Sequence, residues 1–136
     1  MSLMPTLLPE TQAYWDAAAQ GKLAIQRCGD CAKCYFPPAP VCPHCTSRNV
    51  VWEDVSGRAT LYSYVITTSP WPIWETTGPM SVATIALEEG PRLLSTVVDC
   101  EQSPTRLVID MPLTATWRKF GAGPKLLCFH PAGEAA

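Results

Sequence analysis

The sequence predicts a mainly β protein: an N-terminal helix, a cysteine-bound ribbon and a small five-stranded barrel. Three observations predict it. The 136 residues include 14 prolines and eight glycines, which favour short strands and frequent turns over long helices. Five of the seven cysteines fall between Cys28 and Cys45. From Arg58 onward, short apolar runs are separated by turn signals at close intervals. An apolar fraction of 47% supports a real core, and the length suits one domain or a small domain with an appended module.

The helical segment is residues 1–21. Within 10–20, Tyr14, Trp15 and Ala18 make one apolar stripe, three alanines favour helix, and Gly21 is a good stop. Residues 22–55 form the ribbon. Lys22 to Arg27 reads as a strand running into the first cysteine, and Phe36-Pro37-Pro38 forbids regular helix. Arg48 to Asp54 reads as the closing strand, and Ser56-Gly57 is the boundary turn. Residues 56–131 form the barrel, with strands expected at 58–66, 80–88, 92–99, 113–119 and 125–130. Gly78-Pro79, Glu89-Gly90-Pro91, Ser103-Pro104 and Gly121–Pro124 divide them. In the fourth strand Leu113, Ala115 and Trp117 face one way, and Thr114, Thr116 and Arg118 the other. Five short strands suggest a partly open barrel, of which the OB-fold is the commonest case. Residues 132–136 are a tail. Ribbon and barrel are each expected to bury their own core.

Charge narrows the function classes. Ten Lys and Arg against 12 Asp and Glu leave a net charge of -2, which disfavours a nucleic-acid coat. No apolar run reaches the roughly 18 residues of a membrane span. The start MSLMPTLLPETQ lacks the charged lead and apolar core of a signal peptide. An odd, clustered cysteine set without such a signal points to a metal site in a reducing compartment, so a cytoplasmic protein is expected.

Cys28-Gly-Asp-Cys31 and Cys42-Pro-His-Cys45 are two C-x-x-C knuckles. Each turn aims two sulfurs at one centre and stabilises them as anions with backbone amides. Two such turns complete a tetrahedron around Zn²⁺ or a similar ion, and four soft thiolates with no open position indicate a structural metal. Cys34 offers a second register, because Cys31-Ala-Lys-Cys34 is also C-x-x-C. Two ligand sets are therefore open: Cys28, Cys31, Cys42 and Cys45, or Cys31 and Cys34 with Cys42 and Cys45. The first is preferred, because Cys34 runs straight into Tyr35-Phe36 as strand. His44 reads as a solvent-facing loop residue. Cys100 and Cys128 read as buried small apolar residues.

These residues carry a resemblance. Tyr14-Trp15, Gly21-Lys22-Leu23, Gln26-Arg27-Cys28-x-x-Cys31, Phe36-Pro37-Pro38 and Cys42-Pro-x-Cys45 occur in the order seen in one family. Ser56-Gly57-Arg58-Ala59, Ile109-Asp110-Met111-Pro112-Leu113 and Leu127-Cys128-Phe129-x-Pro131 continue it, so the likeness spans about residues 10–131. The chain resembles the zinc-ribbon plus OB-fold proteins known as domain of unknown function 35. Asp110 stands where that family has glycine, and Cys34 is a sulfur the family does not need. The resemblance implies a rubredoxin-like zinc ribbon with structural Zn²⁺ ahead of the OB-fold. It also implies a non-catalytic accessory subunit that docks on a thiolase-fold enzyme and helps bind or channel acyl-CoA thioesters in lipid, steroid or polyketide metabolism. Such a subunit belongs to an acyltransferase, thiolase or aldolase complex. Two other functions share these features: a free-standing acyl-CoA binder and an OB-type nucleic-acid binder.

No catalytic constellation is legible. Neither His44 nor His130 sits in a nucleophile–base pattern, and Asp99 and Glu101 read as solvated. The candidate partner or ligand surface combines three features. Tyr14 and Trp15 lie on the helix. Trp71 and Trp74 lie in a proline-stiffened loop, either a lid on the barrel or a binding surface. Arg118, Lys119 and Lys125 make a small basic group, either a solvated hairpin or a contact for the phosphates of coenzyme A.

Overall fold

In the computed structural model, residues 5–68, 78–119 and 122–133 are described. The expected loop residues Trp71 and Trp74 lie outside them. A 3-10 turn over Pro9–Thr11 leads into α1 (Gln12–Ala19). The helix is shorter than the expected 10–20, because Pro9 starts a tighter turn and Gly21 takes a left-handed φ of 74°.

The ribbon sheet contains β1 (Ala24–Cys28), β2 (Cys34–Tyr35) and β3 (Val50–Asp54), in the order β2-β1-β3 and antiparallel throughout. The second sheet contains β4 (Arg58–Thr67), β5 (Met80–Leu87), β6 (Arg92–Ser95), β7 (Pro112–Lys119) and β8 (Lys125–Pro131), in the order β6-β5-β4-β7-β8. It curls until its edges meet. Val97, just past β6, pairs in parallel with Phe129 of β8. The Val98 amide donates to the Phe129 carbonyl at 2.7 Å, and the Phe129 amide to Thr96 at 3.0 Å. This half-barrel is an OB-fold, with strand positions close to those expected. The third expected strand, 92–99, differs most: its ladder ends at Ser95, and the chain leaves the β5 edge to reach β8.

Among the described residues the main core serves both sheets, beside a small ribbon cluster of Cys28, Tyr35 and Cys42. Leu23, Ile25 and Cys34 of the ribbon lie in the same buried cluster as Leu61, Ile85, Leu113 and Phe129 of the barrel. The expectation of separate cores therefore fails. A three-stranded ribbon this small cannot cover its inner face, so that face is buried against the barrel. Helix α1 seals the joint. Tyr14 is largely buried, with its ring 6.0 Å from Trp117 and 5.9 Å from Phe36. Burial pushes its hydroxyl well above the usual range. Lys125 Nζ donates to the Ala19 carbonyl at 3.3 Å, which satisfies the C-terminal end of the helix. Among the described residues, no helix is long and apolar enough to cross a membrane.

Candidate metal centre and flanking surfaces

The two knuckles fold alike. The Asp30 and Cys31 amides point at Cys28 Sγ, each 3.4 Å away, and the His44 amide points at Cys42 Sγ at 3.4 Å. Behind each knuckle the chain reverses through a left-handed residue, Ala32 at φ 65° and Thr46 at φ 64°. The Ala32 amide donates to the Cys28 carbonyl and the Thr46 amide to the Cys42 carbonyl, both at 2.9 Å. Arg27 braces the first knuckle: Nη1 donates to the Ala32 carbonyl and Nε to Glu53, each at 2.7 Å.

These turns bring Cys28, Cys31, Cys42 and Cys45 together, with all four sulfurs within 4.8 Å of one another. Cys28 and Cys45 sulfurs are 3.5 Å apart, and Cys31 and Cys42 sulfurs 3.7 Å. A tetrahedron with Zn–S bonds near 2.3 Å has edges of about 3.8 Å. The cluster therefore has the size of a zinc site and is far too open for disulfides, which need about 2.05 Å. Its electrostatics agree. Donation from the Cys31 amide, followed by that from Asp30, lowers the Cys28 thiol to about 6 despite desolvation. At Cys45 the Ser47 amide pulls down, but hydrogen bonding with Cys28, desolvation, Cys31 and Cys42 push the thiol up to about 12. One sulfur ionises readily and the last resists. A cation bound between the sulfurs would favour their thiolate forms. The donor set thus fits a structural tetrathiolate zinc, which would supply folding energy rather than chemistry.

Cys34 does not join this set. It pairs across from Arg27 and faces the shared core, while its neighbour Tyr35 packs on Cys28 and Cys42. Successive strand residues point to opposite faces, so Cys34 and Tyr35 cannot share one side. Burial raises the Cys34 thiol. His44 is exposed and meets Cys42 only through its backbone amide. Cys128 is fully buried, and burial pushes it up to about 12. Cys100 is only half-buried.

The surface residues separate. Tyr14 turns inward, whereas Trp15 lines a groove of about 310 Å³ with Leu7, Ala19, Lys119, Pro124 and Lys125. Arg118 lies elsewhere, ion-paired with Asp99. Asp99 is therefore not simply solvated as expected: the barrel curl carries it beside a cation 19 residues away. His130 Nδ1 lies 3.0 Å from the Pro131 carbonyl. Sequence reasoning missed an apolar outer face on the barrel, where Val65 and Val82 oppose each other while 64% and 41% exposed. It also missed the polar residues around the knuckles, Asp30, Ser47 and Asn49. The offset of 14 residues that relates Cys28 to Cys42 and Cys31 to Cys45 was the available signal.

Known proteins share this arrangement. Residues 15–51 match the family described as the ChsH2 rubredoxin-like zinc ribbon domain, and residues 52–118 the ChsH2 C-terminal OB-fold domain. A DUF35 domain-containing scaffold protein of Methanothermobacter thermautotrophicus is 30% identical over 115 residues, 83% of this chain and 85% of the relative. A probable enoyl-CoA hydratase alpha subunit of Thermomonospora curvata is 36% identical over 122 residues, 88% of this chain. This chain spans only 37% of that relative's length. One chain of the solved Ltp2-ChsH2(DUF35) aldolase superposes with a TM-score of 0.80 at 33% identity, covering 94% of this chain and 98% of its own. The shared core, the paired knuckles and the near full-length superposition have one explanation: the chain belongs to the DUF35 family of zinc-ribbon plus OB-fold proteins.

Proposed function

We propose that this chain is a non-catalytic accessory subunit that docks on a thiolase-fold enzyme and helps bind or channel acyl-CoA thioesters. The observation that carries the reading is the match across 94% of the chain to a protein whose name couples a DUF35 chain with an aldolase. Cys28, Cys31, Cys42 and Cys45 hold a structural zinc that shapes the ribbon. Four thiolates leave no position for substrate, so the metal supports rather than reacts. The groove beside Trp15 and the exposed valines of β4 and β5 are surfaces suited to being covered by a partner. Trp71 and Trp74, which lie outside the described residues, are proposed from the sequence as further docking residues.

Co-purification from native extract, with mass spectrometry of the bound proteins, tests this. A thiolase-fold subunit recovered stoichiometrically supports the proposal. Trp15→Ala, Trp71→Ala and Trp74→Ala separate docking from folding: lost binding at unchanged melting marks an interface. The isolated chain is expected to turn over no acyl-CoA substrate. A rate abolished by changing His130 or Asp99 refutes the non-catalytic role. Tight, salt-dependent binding of single-stranded DNA or RNA without affinity for a thiolase refutes the whole reading.

A further inference from the structure

The two cysteine knuckles are joined by a second connection that uses no sulfur. Asp30 sits between the first pair of cysteines, and its carboxylate accepts from two residues that follow the second pair. Ser47 Oγ donates to Asp30 Oδ2, and Asn49 Nδ2 donates to Asp30 Oδ1 at 3.3 Å. The Asn49 amide donates to Ser47 Oγ at 3.0 Å, which orients that hydroxyl toward the carboxylate. The backbone closes the circuit, because the Gly29 amide donates to the Asn49 carbonyl at 2.7 Å. A Cβ at Gly29 would lie 2.6 Å from Asn49 Nδ2, so a side chain there must displace the Asn49 side chain from this packing. Ser47 also anchors its own knuckle, since its carbonyl accepts from the Cys42 amide at 2.8 Å.

We propose that Asp30, Ser47 and Asn49 form a clasp that ties the two knuckles together in the metal-loaded site, and so governs how long the metal is retained. Opening the site to a competing ligand requires one knuckle to swing away from the other. Each step of that opening must break the links to Asp30 as well as metal–sulfur bonds. These are positioning residues: none supplies a ligand atom, and all act through the loops that carry the ligands. Partners that orient metal ligands typically change affinity 10–100-fold when removed.

The inference rests on the proposed ligand set, and the experiment separates the two. The full-length protein is loaded with Co²⁺ or Zn²⁺. The cobalt protein reports ligands by its thiolate absorption, and the zinc protein reports release to a chromogenic chelator. Ser47→Ala, Asp30→Asn and Gly29→Ala are each expected to release metal about tenfold faster than the parent while keeping the parent cobalt spectrum. Ser47→Thr keeps the hydroxyl and is expected to restore slow release, which a general loss of structure would not do. Failure of the parent to bind one metal per chain with a tetrathiolate spectrum overturns the ligand set. A parent that binds normally overturns the clasp under either of two outcomes. One is release by the variants within twofold of the parent. The other is Ser47→Thr releasing as fast as Ser47→Ala.

Discussion

Removing the metal is expected to unsettle the barrel as well as the ribbon. A tetrathiolate site without its ion leaves four crowded sulfurs with no shared charge to hold them, so the ribbon opens. Leu23 and Ile25 leave the core with it, and they are 3% and 0% exposed in the fold. Burial of a large aliphatic side chain contributes about 1.5–3 kcal/mol, so the pair contributes roughly 3–6 kcal/mol to an interior shared with Leu61 and Phe129. That is a large part of the about 5–15 kcal/mol by which domains are stable. At about 3–5 °C per kcal/mol for a chain of this size, the melting midpoint should fall by roughly 10–30 °C. The assay is hydrogen exchange by mass spectrometry with and without chelator, alongside thermal melting. Amides of β4, β5 and β8 should lose protection together with those of β1 and β3. The reasoning is refuted if chelation frees the ribbon amides while the barrel strands keep full protection and an unchanged midpoint.

Three other outcomes follow from the same geometry. Cys28→Ser should abolish stoichiometric zinc binding while Cys34→Ser leaves one zinc per chain, as read by metal analysis of the purified variants. Asp110 and Thr46 occupy left-handed φ values of 70° and 64°, so Asp110→Gly and Thr46→Gly should each raise stability by about 1 kcal/mol, measured by denaturant titration. Stability should fall as pH rises from about 9 to about 12, because the unfolded chain loses the Cys128 proton near 9.0 while the folded chain holds it to about 12. Burial of Tyr14 acts in the same direction, and Cys128→Ala should reduce the slope in alkaline melting curves by up to about 1.4 kcal/mol per pH unit.

The zinc knuckles and the barrel strands were legible because both are local. A C-x-x-C spacing closes a turn within four residues, and strand alternation is a property of neighbours along the chain. The segment around Asp110 was also legible as a turn, and its left-handed φ of 70° is one that glycine adopts without strain. Three matters depended on packing between distant segments. Cys28 and Cys34 are indistinguishable by spacing, and only the pairing of β2 on β1 turns Cys34 toward the barrel and Tyr35 toward the sulfurs. Charge patterning along the chain does not join Arg118 to Asp99 or Asp30 to Ser47, because these partners meet through sheet curl and knuckle juxtaposition. The ribbon's dependence on the barrel core has the same origin. A strand's apolar face announces that it must be covered, but which surface covers it is decided by the free energy of the assembled layers.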